Sequence, residues 1–114
     1  MSKRNNTELF TDMLESIEKV FRYTEGMSFQ DFLGDDRTVD AVARNFEIIG
    51  EAANRIDEAT VERFPEVNWR RIIALRHRIA HDYFGINYTV LWEIREKNLR
   101  DLQRQIESII NQLS

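Results

Sequence analysis

Residues 76–83 read Arg-His-Arg-Ile-Ala-His-Asp-Tyr and bring together Arg76, His81 and Tyr83. A fixed cation, a group that titrates near neutral pH and a phenol form a kit for cleaving a phosphodiester. Arginine presents a planar fork of N–H donors that matches phosphate oxygens. Histidine takes or gives a proton at physiological pH without help from a metal.

Spacing makes the pairing conditional. At about 100° per residue, Arg76 and His81 point roughly 140° apart around a straight helix, whereas Arg76 and Tyr83 share a face. Three arrangements would reunite Arg76 with His81: the long reach of arginine, a helix that ends near His81, or the same pair supplied by a second chain. The plainer alternative is an ion-paired Arg76 with His81 at a helix C-terminus, where a cation is favoured.

Charge is unevenly distributed around this stretch. The net charge is −4 for the whole chain, which argues against indiscriminate nucleic-acid binding. Residues 1–66 carry 15 acids and 8 bases, and residues 67–114 carry 5 acids and 8 bases. Arg70, Arg71, Arg76 and Arg78 fall in a window with no acid between Glu66 and Asp82. With His77 alongside, Arg70, Arg71 and Arg78 are candidates for contact with a few phosphates near one site, unless they merely balance the acidic N-terminal half. His77 and His81 are also four apart, a metal-ligand spacing. Arg78 stands where a zinc protease motif has glutamate and no third ligand is evident, so no metal is expected. Tyr83, Phe84, Tyr88 and Trp92 could stack bases, but such a cluster more often closes a bundle end or fills a dimer interface. Glu51, among apolar neighbours, could serve the site; the plainer reading is a solvated or ion-paired helix residue.

The elements that must position these residues are all helical. Phe10, Met13, Leu14, Ile17, Val20 and Phe21 predict a helix from about Thr7 to Tyr23, stopped by Gly26. Ser28 with Asp31 starts a short turn, Phe29 to Leu33, closed by Gly34. A second long helix, about Asp36 to Ile56, aligns Val39, Val42, Ala43, Phe46, Ile49 and Ala53. Gly50 costs it roughly 1 kcal/mol relative to alanine, which points to close packing against another helix. Asp57 to Phe64 is a short helix before Pro65. Asn68 caps a third long helix from Trp69 to about His81, with Ile72, Leu75 and Ile79 inward and Arg76 at the edge of the buried face. Gly85 breaks the chain, and Asn87 caps a last helix from about Tyr88 to Leu113, in which Leu91, Ile94, Leu102, Ile106, Ile109 and Leu113 keep a helical spacing. With no strand signal, repeat or linker, the expectation is one all-α domain over residues 1–114, an up-and-down bundle of four main helices plus short ones.

Three ordered segments resemble the HepT-like branch of the HEPN superfamily. The stretch from Trp69 to Phe84 carries its Arg-x4-His-x-Tyr signature followed by Phe. Phe29 to Leu33 with Arg37-Thr38 and Ala41-Val42, and Ile49 to Ala53 leading to Phe64-Pro-Glu-Val-Asn-Trp69, match the same branch. The resemblance runs from about residue 8 to 113. One position departs: many members carry Asn directly after the motif arginine, and here it is His77, which bears on catalytic efficiency more than on reaction type.

The resemblance implies a HEPN-like bundle and a metal-independent endoribonuclease toxin of a type II-like or type VII toxin–antitoxin pair. In such enzymes the RNA 2′-hydroxyl attacks the adjacent phosphorus. His81 would then be general acid or base, Arg76 would stabilise the phosphorane, and Tyr83 would position one of them or the RNA. It further implies no cofactor, a homodimer with the site between protomers, and an MNT-type nucleotidyltransferase antitoxin that attaches AMP to a tyrosine near the motif, here Tyr83. A different reading is a non-catalytic module that binds the nucleotidyltransferase; a purely structural helical dimer is a third.

Composition is compatible with this. The 114 residues, 42% of them hydrophobic, suffice for one core, and the absence of cysteine excludes a disulfide framework and thiolate ligation. No apolar run approaches the ~20 residues of a membrane span, and the first residues are polar, so a cytoplasmic protein without membrane contact is expected.

Overall fold

A computed structural model describes residues 4–80 and 87–113, with Ala80 described in its backbone only. Among the described residues there are seven helices and no strand: α1 Asn6–Tyr23, α2 Phe29–Leu33, α3 Asp36–Arg55, α4 Glu58–Arg63, α5 Trp69–Ala80, α6 Tyr88–Lys97 and α7 Leu99–Leu113. The all-α class expected from the helical period is the class found.

Local chemistry explains where the helices start. Asn5 and Glu8 form a reciprocal capping box on α1, and Ser28 and Asp31 do the same on α2. Asn68 Oδ1 accepts from the Arg71 N–H at 3.2 Å and Asn87 Oδ1 from the Val90 N–H at 3.1 Å, so both predicted caps are in place. Asp35 caps α3 by accepting from the Thr38 N–H at 3.0 Å and the Thr38 hydroxyl at 2.8 Å. Those bonds to Thr38, first the backbone one, hold its carboxyl below the usual aspartate value. The cap is therefore intact above that ordinary value and weakens only as pH falls through the lowered one. Gly26, after α1, takes a φ of 75°, the left-handed turn that glycine adopts without steric cost.

Helix α3 packs against α1 and α5, α7 packs along α1, and the short α2 joins α6. Phe10, Met13, Ile17 and Val20 of α1 meet Val39, Val42, Phe46, Ile49 and Ala53 of α3, and Ile106 and Ile109 of α7, in one buried core. Leu14, Phe21, Ile94, Leu102 and Leu113, also assigned inward by their spacing, are only partly covered.

The C-terminal segment corrects the sequence reading. In place of one helix from Tyr88 to Leu113 there are two, separated at Asn98, whose φ of −122° leaves the helical range. Helix α6 serves α2 and α3, while α7 serves α1, so the chain must change direction between them. Asn98 keeps its N–H bonded to the Ile94 carbonyl at 2.9 Å, and its carbonyl accepts from Leu102 at 3.1 Å. The break therefore costs little backbone bonding and puts Leu99 into the core.

Candidate active site

Helix α5 carries the motif arginine and is fixed at two points. At its start, Trp69 is buried, donates its indole N–H to the Phe64 carbonyl at 3.0 Å and meets Phe10 edge to face at 5.9 Å. Seven residues on, α5 runs directly against Gly50 of α3. A Cβ built at Gly50 would lie 2.2 Å from Arg76 Cβ, 3.2 Å from Arg76 Cα and 3.0 Å from the Ile72 carbonyl oxygen. The close approach inferred from a glycine inside a helix is thus real, and the residue it admits is Arg76.

From that contact the Arg76 side chain reaches along α3 to the next residue. Its Nη2 lies 2.9 Å from Glu51 Oε2. Glu51 is shared: its Oε1 accepts from Arg55 Nε at 3.2 Å. Arg76 keeps 40% of its side chain exposed, at the edge of the buried face as its position in the period requires. It opens onto a cleft of about 300 Å³ between α1, α3 and α5, whose walls include Arg4, Asp12, Arg44, Glu47, Glu51 and Arg55. Much of this charge is internally matched. Arg4 grips Asp12 through two bonds of 2.7 and 2.8 Å, and Arg44 stands 3.6 Å from Glu47.

The other basic candidates do not converge on this cleft. Arg70, Arg71, His77 and Arg78 are exposed on α5. Arg71 and Arg78 border a separate groove of about 730 Å³ against α6 and α7, floored by Ile72, Leu75, Ile94 and Leu102. Within one chain, Arg71 and Arg78 therefore face a different opening from Arg76. His81 and Tyr83, the remaining motif residues, lie outside the described residues, as does Phe84. Among the described residues no group of three or more His, Cys, Asp or Glu side chains converges where it could hold a metal ion.

Downstream of the motif the chain is pinned again. The Tyr88 hydroxyl donates to Asp36 Oδ1 at 2.8 Å; that bond, with burial and the charges of Asp36 and Asp40, raises its pKa above the usual tyrosine value. Tyr88 and Trp92 pack on Phe32 at 6.2 and 5.1 Å, so these two members of the aromatic cluster close the α2–α6 corner. Arg95, which the sequence did not single out, lies over Trp92 and Phe21 and bonds Thr24 Oγ1 at 2.8 Å. Arg55 was likewise missed; its i, i+4 spacing from Glu51 was the available signal.

An all-α chain with the motif arginine seated on a glycine of the neighbouring helix is the class that fold and site define. Comparison with known proteins makes it particular. Residues 13–109 match the family model described as ribonuclease HepT-like. A Methanocaldococcus jannaschii protein named as a candidate RNase is 34% identical over 113 residues, covering 99% of this chain and 93% of that protein. A Thermococcus cleftensis protein named as a probable ribonuclease HepT is 35% identical over 107 residues, 94% and 97% of the two chains. A candidate RNase of Caldanaerobacter subterraneus is 34% identical over 98 residues, 86% and 88% of the two chains. No solved structure matches. The chain belongs to the HepT-like ribonuclease family.

Proposed function

We propose that this protein is a metal-independent endoribonuclease and the toxin of a type VII-like toxin–antitoxin pair. The observation that carries the reading is Arg76 itself. In a chain matched to a ribonuclease family over residues 13–109, the motif arginine is anchored at its Cβ and half-exposed at its head. That is the arrangement a phosphate clamp needs: a fixed base, with donors facing solvent.

The chemistry follows from the substrate. The 2′-oxygen of RNA attacks the adjacent phosphorus while His81, as general base, accepts its proton. The P–O5′ bond then breaks, the protonated His81 returns that proton to the departing 5′-oxygen as general acid, and a 2′,3′-cyclic phosphate forms. Arg76 offsets the charge that builds on the phosphorane oxygens. The internal nucleophile removes the need for a metal-activated water. Incubation of the purified protein with RNA in EDTA, followed by end analysis, tests this. Cyclic-phosphate and 5′-hydroxyl ends are expected; uncut RNA, or 3′-hydroxyl ends, would overturn it.

A homodimer belongs to the same proposal. Ile72, Ile73, Leu75 and Ile79 of α5 are only partly covered, and Ile72 and Leu75 line the groove edged by Arg71, Arg78 and Lys97 and by Glu66, Glu93 and Asp101. An apolar strip flanked by equal numbers of both signs can pair with its own two-fold copy. Light scattering at micromolar concentration should give twice the 13.6 kDa chain mass. Leu75→Asp should shift it to monomer; a monomeric wild-type protein would rule the dimer out.

Control by an MNT-type nucleotidyltransferase would act at Tyr83. AMP there adds a bulky anion two residues from His81, able to pair with Arg76 and repel RNA. Mass spectrometry after co-expression with the cognate enzyme should find adenylate on Tyr83 and none on Tyr83→Phe. Adenylate confined to Tyr23 or Tyr88 would refute this mode of control.

A further inference from the structure

Glu51 is held from two sides. Arg76 Nη2 engages Oε2 at 2.9 Å, and Arg55 reaches Oε1 through Nε and Nη2, each at 3.2 Å. A carboxylate whose two oxygens are separately occupied has a fixed plane, and that plane dictates where the Arg76 head group sits. Gly50, the preceding residue, sets the other end of the same side chain by admitting Arg76 Cβ against α3. Two consecutive residues of α3 thus locate Arg76 at its root and at its tip.

We propose that Glu51 is a positioning residue of the ribonuclease site, orienting the Arg76 guanidinium for the reacting phosphate, with Arg55 steadying Glu51 in turn. The inference rests on the ribonuclease reading above. Three features favour positioning over neutralisation. Arginine has five N–H donors and the 2.9 Å contact with Glu51 is made by Nη2, so one carboxylate does not exhaust the fork and donors remain to meet phosphate oxygens. Two guanidinium groups against one carboxylate leave the trio with one net positive charge, still attractive to RNA. Arginine is also among the costliest side chains to order, so pre-ordering it before RNA arrives lowers what the transition state must supply.

The test is a double-mutant cycle on RNA cleavage in EDTA, with kcat and KM measured separately. Glu51→Ala should lower kcat about tenfold with KM changed less than about twofold, as expected for a loosened catalytic group. Glu51→Gln keeps an acceptor oxygen and should recover to within about threefold of wild type. The diagnostic result is the double variant. If Glu51 acts through Arg76, then Glu51→Ala adds nothing to Arg76→Ala, whereas a merely structural role gives losses that multiply. Should Glu51→Ala fail to fold, Glu51→Gln and Arg76→Lys close the same cycle. Multiplying losses, an unchanged rate in Glu51→Ala, or a faster enzyme (in which case Glu51 masks Arg76) would each overturn the inference while leaving the ribonuclease reading intact. A wild-type protein that does not cleave RNA would remove both.

Discussion

His81→Ala is expected to lower the rate of RNA cleavage in EDTA by about 10² or more, the usual cost of losing a general acid or base, while leaving helicity unchanged. Arg76→Ala should lose at least as much, for a different reason. Its guanidinium has to meet charge that appears only as the phosphorane forms, and removing one such donor typically costs about 10² to 10³ in kcat. Arg76→Lys separates charge from geometry. Lysine is a point charge without the planar fork, so if the fork matters it should recover only part of the loss. The two residues should also differ in pH response. Loss of His81 should flatten the profile near neutrality, whereas loss of Arg76 should lower it at every pH, since arginine does not titrate there. A His81→Ala enzyme that matches wild type would take His81 out of the mechanism, whatever else the motif does.

The spacing of apolar residues located α1, α3 and α5, and the caps at Ser28, Asn68 and Asn87, because those signals are local. Each is set by contacts within three or four residues, as the bonds from Asp31, Arg71 and Val90 to their caps show. The break at Asn98 was hidden for the same reason. Leu91, Ile94, Leu102 and Ile106 keep helical spacing across it, and one distorted residue barely disturbs a period of 3.6. The partner of Arg76 was beyond reach of any spacing. Glu51 lies 25 positions earlier, and only the packing of α3 on α5 brings them to 2.9 Å. Gly50 announced that some helix comes close, not which one. Within one chain, Arg71 and Arg78 share a run of sequence with Arg76 but border a different groove. Four bases on one helix need not share a face.

Gly50→Ala should damage both stability and activity, because it tests packing and site geometry together. Ordinary contact begins near 3.4 Å and the new methyl would stand 2.2 Å from Arg76 Cβ, so the two must separate by about 1.2 Å. The obstacles include Arg76 Cα and the Ile72 carbonyl, which are backbone, so rotating a side chain cannot relieve the clash and α5 must retreat from α3. Overpacking of this kind costs about 1–3 kcal/mol or more. Alanine returns about 1 kcal/mol of helix propensity, which leaves a net loss of up to roughly 2 kcal/mol or more and a Tm lower by up to several degrees. Activity should fall further than stability. A shift near 1 Å in a catalytic group can cost about 10² in rate, even when the protein remains folded at the assay temperature. Gly34→Ala is the matched control. Its added Cβ meets nothing nearer than 3.8 Å, so both Tm and cleavage should stay close to wild type. If Gly50→Ala melted and cleaved like Gly34→Ala, the close seating of Arg76 on α3 would have no part in either stability or catalysis.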